Sequence, residues 1–310
     1  MFLKKLINPK PTIIIFFILS VILFILTPVL NNEFNSLFRH EWMSSYLVFI
    51  ITLLISSFHA LGINNLVYEK GIIKKNNLVI AFVYLCLIIP LNISIEIYFA
   101  SFFSLFFLNF LFESYQKEYP LKQFFNAGII LSVISFISPN IILLAPLVII
   151  TVINYELFSI KTLLSFFIGF LIPFSFYFMF GYIFEKTLEI PEYLQFKIVT
   201  IPDYKNFGGE TYFIITTVCL VSILSFYELF KWLYKKSIKS RKSFIIILFY
   251  FLSTILMLFL GEKNSMYYVI SPLSIIIGNY FTYTKNKKIA NILFFLLVAA
   301  SINYKLIVAI

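Results

Sequence analysis

The side chains with chemistry to offer in this chain are acidic, and they cluster. Residues 31–44 hold Glu33 and Glu41 with Arg39 and His40 between them, and Glu96 stands between two apolar runs. Residues 184–210 then hold Glu185, Glu189, Glu192, Glu210 and the only aspartate, Asp203. A carboxylate at a lipid–water boundary can take the proton from an attacking hydroxyl. Glu33, Glu41 and Glu96 are therefore the candidate catalytic residues. Glu96 could share a site with the other two or help hold a divalent cation, which hard oxygen ligands suit. Arg39 and His40 beside them, and Glu192, Asp203 and Lys205 in the long polar stretch, could line the site of a polar substrate. Long connectors are often functional. The same residues read equally as ordinary surface carboxylates, and both readings stand.

Other chemistries lack their residues. The two histidines, His40 and His59, form no HExxH pair, so zinc hydrolysis is set aside and no metal ligand set is assigned. Cys86 and Cys219 are solitary, and no phosphate-binding glycine pattern occurs. No cofactor follows from the residues, a divalent cation apart. His59 follows Ser56 and Ser57 within an apolar run, where a hydrogen-bonded packing histidine is expected. Glu113, Glu156 and Glu228 fall at ends of apolar runs, Lys305 is near enough to an end to snorkel, and almost no charge falls at mid-run, so a pump's proton path loses ground.

What must position these residues is a set of membrane helices. The chain is 61% hydrophobic and 12% charged, against about a quarter charged in soluble domains, with a mean hydropathy of +0.97. Its apolar runs, such as 13–26, do not alternate as barrel strands do. The fold class is all-α, a polytopic transmembrane bundle. Eleven spans are expected, at 12–30, 45–62, 78–95, 97–113, 124–138, 141–155, 162–183, 211–229, 243–261, 266–283 and 289–308. The first follows lysines but is longer than a signal-peptide core, so it reads as an uncleaved span. Three regions follow: a seven-helix bundle at 1–183, an outward polar loop at 184–210 and a four-helix region at 211–310.

Charge sets the orientation. The connectors 1–11, 63–77, 114–123, 156–161, 230–242 and 284–288 hold 18 of the 24 lysines and arginines. Basic excess marks the cytoplasmic side, so the N-terminus is expected inside, the C-terminus outside, and the acidic stretches outside. The net charge of +10 is thus a signal of topology and not of nucleic acid. The runs 124–138 and 141–155 are short for a hydrocarbon core of about 30 Å. Either these helices extend past the assigned edges, or the Ser138-Pro139-Asn140 turn between them lies recessed below the membrane surface.

Two resemblances follow from this pattern. With an inside N-terminus, Glu33 and Glu41 in the first outer loop and residues 184–210 after the seventh span, the chain resembles the GT-C superfamily of membrane glycosyltransferases. Those enzymes take sugars from polyprenyl-phosphate carriers. The resemblance implies Glu33 or Glu41 as base and Glu96 as a second acidic site residue. The chain departs from that pattern in its short first outer loop and in lacking an Asp-containing pair there. The stretch LFFLNFLFESYQKEYPLKQFFNAGIILSVISFISPNIILLAPLVII at 105–150, with Gly-Phe-Leu-Ile-Pro at 169–173, is similar to an uncharacterised family of multi-pass inner-membrane proteins of Gram-negative bacteria. Localisation in the bacterial inner membrane is the corresponding expectation. Three functions remain open: transfer of a sugar from a lipid carrier to an outward acceptor, a scaffold or accessory subunit docking an envelope protein, and a carrier for a lipid or small apolar solute. The partners implied are membrane lipids, a polyprenyl-phosphate sugar and an envelope protein, with no nucleic acid.

Overall fold

The computed structural model describes residues 2–30, 45–89, 95–185, 208–260 and 266–308. Within them every regular element is a helix, as all-apolar runs without alternation require. In chain order these are α1 (Phe2–Leu6), α2 (Pro11–Leu30), α3 (Ser45–Glu69), α4 (Val79–Ile88), α5 (Ile95–Glu113) and α6 (Leu121–Ile137). A 3-10 turn (Pro139–Leu144) and α7 (Pro146–Asn154) follow, then α8 (Ile160–Ile183), α9 (Gly209–Leu233), α10 (Ile238–Leu260), α11 (Met266–Tyr283) and α12 (Lys287–Val308).

Six helical segments among the described residues are long and apolar enough to cross a membrane: Ile50–Glu69, Ile95–Glu113, Ile160–Ile183, Gly209–Leu233, Ile238–Phe259 and Lys287–Ile307. That is fewer than the eleven expected, and two of the expected spans are short for local reasons. Pro139 and Pro146 divide the apolar run after α6 into a 3-10 turn and a nine-residue helix, because proline lacks the N–H that would continue the ladder. At about 1.5 Å per residue, α7 spans only about 14 Å. The ten-residue α4 is similarly short. Apolarity alone had counted both as spans.

The chain divides into two compact units. The first comprises 1–98, 200–237 and 270–310, and the second 99–199 and 238–269. In the first unit α4 is the core: every residue from Val79 to Ile88 is buried. Phe82 meets the rings of Phe16 and Phe17 on α2 and of Phe294 on α12. On α11, Gly278 lies so close to Ile80 that a Cβ there would meet its side chain. The Ser301 hydroxyl donates to the Cys86 carbonyl at 2.7 Å, tying α12 to the same helix.

In the second unit α6 and α8 press backbone to backbone. A Cβ at Gly128 would strike the Phe166 carbonyl oxygen, and one at Gly169 the Phe125 carbonyl oxygen. Small residues permit such an approach in membranes, where packing and not water expulsion holds helices together. Phe136 lies against Phe174 and Tyr177 at ring-centroid distances of 4.6 and 5.0 Å. Ser104 and Tyr250 join α5 to α10 through hydroxyls 3.2 Å apart.

Candidate functional site

Of the candidate catalytic and substrate-binding residues named from the sequence, Glu96 is the one the described residues include. It lies exposed in the first turn of α5, where a carboxylate also complements the positive end of the helix dipole. Glu33, Arg39, His40, Glu41, Glu192, Asp203 and Lys205 lie outside the described residues. Among the described residues no group of three His, Cys, Asp or Glu could hold a metal ion.

His59 is fully buried on α3 and bonded at both ring nitrogens. Its Nε2 is 3.1 Å from the Ser271 hydroxyl and its Nδ1 2.9 Å from the Tyr84 hydroxyl. The Tyr84 ring also packs on the imidazole, with centroids 4.6 Å apart. A histidine so satisfied joins α3, α4 and α11 as a structural knot, the packing role its sequence context suggested.

The functional features that reading missed are basic. In the first unit the N-terminal segment folds back on the loop between α3 and α4. Leu3 and Leu6 are buried, and an isolated antiparallel bridge pairs Ile7 with Asn77. The Asn8 N–H donates to the Asn76 carbonyl at 3.2 Å, and the Leu78 N–H to the Leu6 carbonyl at 2.9 Å. Asn77 itself receives the Val79 N–H at 3.0 Å and donates to the Lys75 carbonyl at 2.8 Å, which fixes the turn into α4. The same N-terminal segment, with Lys75 and Lys287, lines a cavity of about 960 Å³ that gathers Lys4, Lys5, Lys10, Lys75 and Lys287.

Beside the cavity, Tyr283 at the end of α11 gathers two ammonium groups. Lys75 Nζ lies 5.0 Å and Lys236 Nζ 4.7 Å from its ring centroid, distances at which the ring face attracts a cation. The Tyr283 hydroxyl accepts the Lys74 N–H at 3.0 Å. Lys236 also donates to Asn279 Oδ1 at 2.9 Å. Burial pushes the Lys236 ammonium down to about 8, since leaving water penalises its charged form.

In the second unit the basic connectors meet as well. Lys242 forms an ion pair with exposed Glu156 at 2.7 Å, and Lys239 Nζ lies 5.8 Å from the Tyr115 ring centroid. The hydrogen bond and charge of Lys242 hold the Glu156 carboxyl below its usual range. Lysines that the sequence assigned to separate connectors of one side thus meet in the first unit, and in the second the connector 230–242 meets Glu156 and Tyr115 of two others. Their recurrence at alternate connectors was the available signal; read only as a topology count, it concealed the convergence.

Long apolar helices, a core without a fully buried charge among the described residues and lysines gathered at helix ends define a helical, membrane-embedded protein. A family model described as a family of unknown function, DUF6427, matches residues 1–310, and the chain belongs to that family. No curated protein and no solved structure matches it.

Proposed function

We propose that this is a polytopic protein of the bacterial inner membrane, with its N-terminus in the cytoplasm, its C-terminus outside, and its chemistry at the outer face. The finer reading is a transferase of the GT-C kind, which moves a sugar from a polyprenyl-phosphate carrier to an outward acceptor. Glu33 or Glu41 serves as base in this reading, and Glu96 as a second acidic group. The supporting observation is the placement of charge along α5. Glu96 opens this span, and about 26 Å of helix separates it from Glu113 and the connector that carries Lys117 and Lys122. With the basic connector read as cytoplasmic, Glu96 belongs to the other surface in this proposal.

The test is transfer from a radiolabelled polyprenyl-phosphate sugar in membranes containing the full chain. Glu33→Gln, Glu41→Gln and Glu96→Gln are each made singly at matched expression. Loss of about 10²-fold or more in one of them is expected for removal of a general base. Wild-type rates in all three, or no transfer by the parent, overturn the transferase.

A second reading, the accessory subunit, is favoured by α8. It is long enough to span, yet only 6% of its apolar stretch is buried within the chain, and it leads directly into the polar stretch at 184–210. A partner that co-purifies in mild detergent and is lost on deletion of 190–208 supports this reading. Unchanged co-purification rejects it.

A further inference from the structure

The topology reading accounts for the number of lysines on one side but not for their arrangement. A topological signal needs only an excess of charge among short connectors. Here five ammonium-bearing side chains from three connectors surround one cavity, and their backbone is fixed. The N-terminal segment is pinned by buried Leu3 and Leu6, by the Ile7–Asn77 bridge and by its hydrogen bonds to the α3–α4 loop. Lys75 is aligned by the Tyr283 ring. Lys287 begins α12 and reaches the Thr282 carbonyl at 3.4 Å.

Among the described residues no acidic side chain lines the cavity, so the lysines gather there without a carboxylate between them. Asn8 and Thr12 in the lining are neutral and able to donate hydrogen bonds, while the Asn291 amide donates to the Lys287 carbonyl at 2.7 Å. The chemistry that answers this lining is a phosphoryl group. At about 960 Å³ the cavity is at the upper end of small-molecule sites, large enough for a headgroup and its waters.

The neighbouring helix points to the source of that group. Thr12 and Ile13, in the first turn of α2, line the cavity. Beyond them Ile14, Ile15, Ile18 and Leu19 are exposed. A polar basin running directly into an apolar helix surface fits an amphiphile, with its phosphate on the lysines and its chain along α2. We propose that this cavity binds the headgroup of an anionic, phosphate-bearing membrane lipid. Basic pockets among helix ends are suited to such headgroups. The site is separate from the outward transfer reading, and glutamate variants that abolish transfer leave it intact.

The test is native mass spectrometry of the full chain in detergent, with dioleoyl phosphatidic acid and dioleoyl phosphatidylcholine offered at equal concentration. The parent retains one phosphatidic acid and discriminates against phosphatidylcholine. Lys5→Gln and Lys75→Gln each weaken retention by about fivefold, and Lys75→Arg preserves it. Lys161→Gln, in the second unit, has no effect. Melting temperature distinguishes lost binding from lost folding, as does the arginine variant, which keeps the charge. Inorganic pyrophosphate identifies the source. If it binds the parent while phosphatidic acid does not, the ligand is a soluble anion and the lipid assignment fails. Equal retention of the two lipids, or no loss in the glutamine variants, overturns the site altogether.

Discussion

His59 and Lys236 show how one setting, the end or interior of a helix bundle, treats two titratable groups. His59 is kept as a bridge between hydroxyls of Tyr84 and Ser271. Tyr84→Phe removes one bond and leaves the imidazole to lose a partner in a dry site, a cost of about 1–3 kcal/mol. A melting temperature several degrees below the parent is expected in detergent. An unchanged one refutes the bridge. Lys236 is half-buried against Asn279 and Tyr283, and its folded pKa falls from the ordinary 10.5 to about 8. The unfolded chain therefore binds more protons between these values, so stability rises with pH across that window and is flat below it. NMR of ¹³C-methylated lysines should show one resonance, absent in Lys236→Gln, titrating near the lower value. Titration of that resonance near 10.5 contradicts the burial. Neither pKa nor partner was legible in sequence, because Ser271 lies 212 residues from His59 and Asn279 lies 43 from Lys236.

At the level of elements, the pairing of α6 and α8 rests on absent side chains. Gly128 and Gly169 allow each backbone to meet the other, and the atoms a Cβ would strike are carbonyl oxygens that cannot rotate aside. Gly128→Leu or Gly169→Leu should force the helices apart. Cross-linking by a bis-maleimide between cysteines placed at Phe136 and Phe174, whose rings lie 4.6 Å apart, should fall sharply in either variant. Full cross-linking would show the contact to be dispensable. The existence of these helices was clear from uninterrupted apolar runs. Their lengths were not. An apolar stretch satisfies a membrane span and a buried short helix equally, and α4, buried on every side by protein, has the composition of a lipid-facing segment.

At the scale of the molecule, orientation is the property on which the outward chemistry depends. Thr200→Cys and Lys235→Cys, each in a chain with Cys86 and Cys219 replaced by serine, should label from opposite sides in intact cells, the first from outside with a membrane-impermeant maleimide. Labelling of position 200 only after lysis would reverse the map and remove Glu33, Glu41 and Glu96 as outward groups. The lysine totals carried that expectation, and the labelling decides it. Composition by itself determined a helical membrane protein, since 61% hydrophobic residues without alternation have no other way to satisfy their backbone in lipid. Only the tertiary structure decided which lysines share a cavity, which glycines admit a neighbouring backbone and which apolar runs end early. Hydropathy averages over a window, whereas those outcomes depend on contacts between residues far apart in the chain.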